Sequence, residues 1–256
     1  MPVRSVLPRC SRTGPLLLAV ALALLSCAGA STGLPSAGGR RVLFVGNSLT
    51  YVNDLPRTLR DMARSVNDTP LVFRTIAKAN YALEDHWYDG IASAIARDEW
   101  DLVVMQQGPS SLPENQEFLR VWTVRLDSVA RTAGARSALY QVWPAEQFIT
   151  SFTAVRDSYR NAAIAVSGMF IPAGEAWRAA WARDASLALY GGDAFHPSEL
   201  GTYLAALVHF EMIYDRPATD LPDVAVVNGR TLPVPAATVA LLQEAAHETA
   251  VAWGIR

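Results

Sequence analysis

From residue 40 onward the chain alternates between two hydrophobic rhythms. The stretch RRVLFVGNSLT, at 40–50, holds an unbroken apolar run over 42–45 that stops at Gly46-Asn47-Ser48. Leu55, Leu59, Met62, Ala63 and Val66 then recur at helical spacing behind Asn53 and Asp54, both residues that cap helices. That pattern predicts strand, loop, helix. It repeats along the chain: further apolar strands over 71–76, 102–105, 138–142 and, shorter, 169–171 are separated by helices over 83–96, 114–133 and 153–167. Strands apolar on both faces and separated by helices predict a parallel sheet covered by helices on both sides. Ligands of such sheets gather beyond the carboxyl ends of the strands. Ser48 falls just past the end of the first strand, where Gly46 is expected to free the backbone for a turn and Asn47 to tolerate an unusual backbone angle.

The first thirty residues follow another pattern. Arg4, Arg9 and Arg12 precede an apolar stretch over 16–25 and then Ser26-Cys27-Ala28-Gly29-Ala30. An apolar stretch this short falls below the ~20 residues a membrane-spanning helix needs, so residues 1–30 are predicted to be a signal peptide of an exported protein. Leu24-Leu25-Ser26-Cys27 resembles a bacterial lipobox, which would make Cys27 the lipidated first residue of the mature chain; ordinary cleavage after Ala30 is the alternative. Residues 31–39 have the composition of a flexible linker, leaving 40–256 as the folded domain. The second cysteine, Cys10, lies inside the leader, so the mature domain has no internal disulfide to rely on.

Composition narrows the function. The chain has 256 residues, 51% of them hydrophobic and 18% charged, enough for one sizeable core. Net charge is −2, and removal of three leader arginines, with no acids in the leader, takes it to −5. No basic run or aromatic-basic stripe is present, which excludes a nucleic-acid partner as an expectation and leaves a small-molecule or surface-bound substrate.

A serine nucleophile needs a base, and the base an orienting carboxylate. Of the four histidines, His209 and His247 sit in helical patterns, and His86, after Glu84-Asp85 and before Trp87, is open to three readings: a base, a metal ligand or, the favoured one, a helix-start residue. His196 differs, lying in GGDAFHPSELGTYLAALVHF, at 191–210. Asp193 precedes it by three residues, a spacing at which one turn can set the carboxylate on one ring nitrogen and leave the other facing a serine. Pro197 and Ser198 open what is predicted as an amphipathic helix that holds the turn still.

A serine in G-[DN]-S-[LI] after the first strand, with D-x-x-H near the domain's end, resembles the SGNH, or GDSL-type, hydrolases over residues 40–215. The resemblance implies an α/β fold, a three-layer α/β/α sandwich with a mainly parallel five-stranded sheet of flavodoxin-like order. It also implies Ser48 as nucleophile, His196 as base and Asp193 as orienter, with Ser48 Oγ within ~3.5 Å of a His196 ring nitrogen. Two further motifs of that family depart here. The glycine after the second strand is replaced in AKANYALEDHW by Asn80 or Ala79, whose backbone amide can still serve. The G-x-N-D segment is replaced by MQQGPSS, with Ser110 where asparagine is expected. Related branches, some acting on acylated carbohydrates, carry V-V-x-Q-x-x-S there, so Gln106, Gln107 or Ser110 would supply the oxyanion donor, Gln107 being favoured as the first loop residue.

The expectation is therefore an exported serine esterase acting on a small-molecule or glycan-linked ester, without cofactor or metal, attached to a membrane if Cys27 is lipidated. Tyr51, Trp87 and Trp143 are candidate walls of a lipid or sugar pocket. An acyltransferase with the same three residues, or a binding protein on a degenerate hydrolase scaffold, are the alternatives.

Overall fold

The computed structural model describes residues 38–256 together with the first two, and its fold is that of residue 38 onward. The expected signal peptide, with the lipobox-like stretch at Cys27, and most of the expected linker lie outside the described residues. The alternation is realised in order. Strand β1 (Arg40–Gly46) leads into a single turn, α1 (Ser48–Tyr51), and then α2 (Leu55–Ser65). Asp54 caps α2 by accepting from Arg57 N, and Asn53 and Asp54 both adopt left-handed angles, φ 58° and 52°, which Asn and Asp tolerate better than other side chains. Strand β2 (Leu71–Ala77) is followed by α3 (Leu83–Tyr88) and α4 (Ile91–Arg97), where one continuous helix is expected. Gly90 divides them with φ 81°. Then come β3 (Leu102–Met105), α5 (Pro113–Thr132), β4 (Arg136–Tyr140), α6 (Phe152–Ala165), β5 (Met169–Ile171) and α7 (Ala173–Arg183). The chain finishes with α8 (Glu199–Tyr214), a small hairpin of β6 (Val226–Val227) and β7 (Arg230–Thr231), and α9 (Ala236–Trp253).

The five long-range strands form one parallel sheet in the order β2-β1-β3-β4-β5. This is the flavodoxin order, whose direction of winding reverses beside β1 and opens a crevice at the strands' carboxyl ends. Val42, Leu43, Phe44 and Val45 are buried, as are all four residues of β3, because helices cover both faces. Helix α5 packs against α4 and α6 in one layer, and α8 packs against α2, α7 and α9 in the other.

Helix α8 corrects one expectation. Ser198 does cap it, accepting from Gly201 N at 3.0 Å, but the helix is not amphipathic: every residue from Gly201 to Tyr214 is buried. The apolar face meets the sheet, and the far side is covered by α9, so no solvent stripe survives. A buried helix is a rigid mount, and the residues just before it are those around His196.

Candidate active site

The first component is the end of β1. Asn47 caps α1 with its side-chain oxygen, accepting from Leu49 N at 3.1 Å, and so makes Ser48 the first residue of that turn. The same oxygen accepts from Gln106 Nε2 at 2.9 Å, and Asn47 Nδ2 donates to Tyr81 O at 3.1 Å. An aspartate at 47 could not make the last bond, since a carboxylate has no donor. Ser48 is thus held between the β2–α3 loop and the end of β3, with 8% of its surface exposed. Gly46, expected to free the backbone for a turn, is the last residue of β1 and does not have a left-handed φ. Its lack of a side chain serves close approach: a Cβ there would lie 2.5 Å from Gln106 Oε1 and 2.6 Å from Thr50 Oγ1.

The second component is the turn before α8. Asp193 Oδ2 meets His196 Nδ1 at 2.5 Å, while Oδ1 accepts from Phe195 N at 3.1 Å and His196 N at 2.9 Å. The turn closes through Ala194 in a left-handed conformation, φ 58°, and through Gly191 N donating to His196 O at 2.7 Å. The contact with the imidazole, and after it the two backbone donors, hold the Asp193 carboxyl down at about 2, although its side chain is half exposed. Outside contacts fix the turn on the sheet: Trp143 Nε1 donates to Phe195 O at 3.0 Å, Glu146 N to Ala194 O at 2.9 Å, and Asn53 Nδ2 to Pro197 O at 3.1 Å. The Asn53 bond ties the turn to the segment just beyond Ser48.

A cavity of about 370 Å³ lies at the end of β1, with Ser48, Asn80, Gln107, Ser110 and, from the turn before α8, Phe195 among its walls; Asp193 and His196 do not line it. The hydrogen bonds of the His196 ring and amide go to Asp193, and none joins the ring to Ser48 Oγ. Catalytic hydrogen bonds often tighten only when substrate binds. Asn80 stands where the resemblance expects glycine and has φ 63°, so the loop keeps a left-handed turn with the residue type best suited to it after glycine.

The glutamine pair separates cleanly. Gln107 Oε1 accepts from Leu83 N at 3.2 Å and Nε2 donates to Ser110 Oγ at 2.9 Å, which leaves one amide hydrogen uncommitted at the cavity wall. Ser110 spends its hydroxyl hydrogen on Gly108 O at 3.0 Å. Gln106 is fully buried, and both ends of its carboxamide are bonded to Asn47, Thr50 and the Gln107 carbonyl. It has no donor left for an oxyanion, which corrects its candidacy. Tyr159, a residue that no sequence motif marks, anchors this loop: Gln107 N donates to its hydroxyl at 3.0 Å, and that hydroxyl reaches Gln107 O at 2.6 Å. Burial pushes its ionisation well above the ordinary phenol value.

Two of the three expected aromatic walls, Trp143 and Trp87, are packed elsewhere. Trp143 is fully buried and stacks on Trp177, ring centroids 3.6 Å apart, so it supports the His196 turn instead of lining a pocket. Trp87 packs against Trp122 of α5 at 6.1 Å, away from the cavity. Tyr51 is 41% exposed at the end of α1. The aromatic residues at the cavity are Tyr81, Phe118 and Phe195. A second cleft of about 470 Å³, lined by Leu112, Pro144, Ala145 and Phe148, shares Pro109, Ser110, Asn115 and Phe195 with the first. His86 is buried, with Nε2 2.7 Å from Gly46 O, and burial lowers its pKa. It braces the β1 end and does not face Asp193. Among the described residues no group of three or more His, Cys, Asp and Glu side chains is placed to hold a metal ion.

No family model and no curated protein sequence matches the chain. Solved structures do. A protein from Slackia heliotrinireducens assigned to the SGNH hydrolases is 25% identical and aligns over 68% of this chain and 99% of its own, at a TM-score of 0.58. A DUF4886 family protein from Bacteroides uniformis aligns over 83% of this chain and 95% of its own, at 19% identity and a TM-score of 0.70. A mutant of an acetyl-xylooligosaccharide esterase from Geobacillus aligns over 70% and 96%, at 14% identity and a TM-score of 0.53. The sheet and its flanking helices therefore have the three-layer fold of the SGNH hydrolases.

Proposed function

We propose that this protein is an exported serine ester hydrolase of SGNH type, with Ser48 as nucleophile, His196 as general base and Asp193 as the carboxylate that orients it. The observation that carries the reading is the Asp193–His196 pair in the turn before a buried helix, a turn whose Phe195 shares a cavity wall with Ser48. With Nδ1 engaged by Asp193, the imidazole keeps its proton there and offers the Nε2 lone pair to the serine hydroxyl. Ser48 Oγ then attacks the ester carbonyl, His196 takes the hydroxyl proton and returns it to the departing alcohol, and water repeats the sequence on the acyl-enzyme. The negative oxygen would be met by the backbone amides of Ser48 and Asn80 and by the free hydrogen of the Gln107 carboxamide. One such donor is worth ~3 kcal/mol in the transition state.

The substrate in this reading is an uncharged ester. Among the described residues no charged side chain lines either cleft, so an acetylated glycan or a small aliphatic ester fits better than an anionic one. Incubation with a fluorophosphonate probe should label Ser48 in the wild type and not in Ser48→Ala, and hydrolysis of an acetyl ester should proceed without an added alcohol. Turnover that requires an acceptor alcohol would make the protein an acyltransferase with the same residues, and an unlabelled Ser48 would make it a binding protein on this scaffold. Export and anchoring belong to the same proposal: Cys27→Ser should release the protein from the membrane fraction or block its processing, whereas a soluble mature chain starting at Ser31 would exclude the lipid anchor.

A further inference from the structure

The buried carboxamide of Gln106 is committed to the β1–α1 loop in a way that the proposed hydrolysis does not by itself explain. Val45 pairs with Met105 in the parallel sheet, and Gln106 N extends the ladder by donating to Val45 O at 2.9 Å. That register sets Gln106 beside Gly46. Its Oε1 accepts two bonds, from Asn47 N at 2.9 Å and from Thr50 Oγ1 at 2.8 Å, and its Nε2 donates to Asn47 Oδ1 at 2.9 Å and to the Gln107 carbonyl. One side chain therefore grips the residue before Ser48, the residue two after it, and the backbone of the candidate oxyanion donor Gln107.

We propose that Gln106 is the positioning residue of the nucleophile: it locks Asn47 and Thr50 so that the Ser48 hydroxyl and amide keep a reactive orientation, without touching substrate itself. The proposal rests on Ser48 being the nucleophile. It accounts for two residue types the motif alone leaves unexplained. Gly46 must be glycine because a Cβ would strike Gln106 Oε1 and Thr50 Oγ1. Asn47 must be an amide because it accepts from Gln106 and donates to Tyr81 O at once. No neutral isostere of a carboxamide offers both an acceptor and a donor in that plane except a protonated carboxylic acid.

This gives a test with a pH signature. The rate of fluorophosphonate labelling at Ser48, kcat and KM are measured for wild type, Gln106→Leu and Gln106→Glu, with thermal melts alongside. Gln106→Leu should label and turn over ~100-fold more slowly with KM within ~3-fold, since a misplaced reacting group costs on that order. In Gln106→Glu the ionised carboxylate sets oxygen against Asn47 Oδ1 and the Gln107 carbonyl, whereas the protonated acid restores the donor. Its labelling rate, expressed as a ratio to wild type at each pH, should rise at least ~10-fold between pH 8 and pH 5. The titratable groups nearest the network are Tyr159, whose hydroxyl donates to the same Gln107 carbonyl as Gln106 Nε2, His86, which bonds Gly46 O, and Tyr140, which bonds Leu49 O at 3.4 Å; all three are present in every variant and cancel in the ratio.

If Gln106→Leu does not fold, Gly46→Ala, which displaces the same carboxamide, decides by the same labelling rate. Labelling within ~3-fold of wild type in a folded Gln106→Leu or Gly46→Ala, or a pH-independent ratio for Gln106→Glu, overturns the clamp while leaving the hydrolase reading intact. Absence of labelling at Ser48 in the wild type overturns both.

Discussion

The helix that mounts His196 also carries a buried histidine whose neutrality makes the fold acid-sensitive. His209 is fully buried in α8, with Nδ1 donating to Ala205 O at 2.8 Å and Nε2 without a partner among the described residues, and its ring meets Tyr140 edge to face at 4.5 Å. Burial lowers its pKa to about 4, partly opposed by the Ala205 carbonyl. In the unfolded chain the group titrates near ~6.5. Between those values the unfolded state binds the proton and the folded state does not, so stability rises with pH through this window and is lost as the solution is acidified. At ~1.4 kcal/mol per pH unit, the interval from ~6.5 down to 4 is worth about 3 kcal/mol, a large share of the ~5–15 kcal/mol of a typical domain. Urea denaturation at pH 7 and pH 4, in wild type and His209→Leu, isolates the contribution, because the other groups titrate in both proteins. The wild type should lose about 3 kcal/mol more than the variant over that interval, with unchanged m-values. Parallel losses, equal within ~0.5 kcal/mol, would show that protonation is accommodated in the folded state and that the reasoning from burial fails.

Three further outcomes follow from the site. Asp193→Asn should keep the two backbone bonds to residue 193 but turn an amide donor towards Nδ1, forcing the wrong imidazole tautomer; kcat should fall by roughly 10⁴ with little change in thermal midpoint, as read from steady-state kinetics and calorimetry. Gln107→Glu keeps the acceptor for Leu83 N and removes the free amide hydrogen, so kcat should fall ~100-fold or more with KM nearly unchanged, while Gln107→Ala should in addition cost ~1–3 kcal/mol of stability by leaving Leu83 N unpaired. Tyr159→Phe removes the hydroxyl that accepts from Gln107 N and should lower the thermal midpoint by ~2–8 °C, together with a drop in kcat that titration of Tyr159 itself cannot cause below pH 10.

The elements legible in the sequence were those with a one-dimensional signature. Apolar runs such as 42–45 and 102–105 mark strands because a parallel strand buried on both faces can contain nothing else, and β3 and β5 begin and end where the pattern places them. Asp193 and His196 were legible because their contact is local: three residues and one turn bring carboxylate to imidazole, whatever the rest of the chain does. Relations between distant segments were not legible. The sequence presents Gln106 and Gln107 as equivalent neighbours; strand register and the β2–α3 loop decide that one is consumed inside the β1–α1 loop and the other keeps a hydrogen for the cavity. Nothing in the spacing distinguishes Trp143 as a stacked core residue from Trp143 as a pocket wall, because that depends on where α7 lays Trp177. Tyr159, over fifty residues from the loop it anchors, leaves no trace in the hydrophobic pattern beyond its place on the buried face of α6. Periodicity records which face of an element is buried, and local spacing which groups can share a turn. The partner of a buried polar group is chosen only when the sheet order β2-β1-β3-β4-β5 brings separate strand ends together, so the tertiary structure alone decided it.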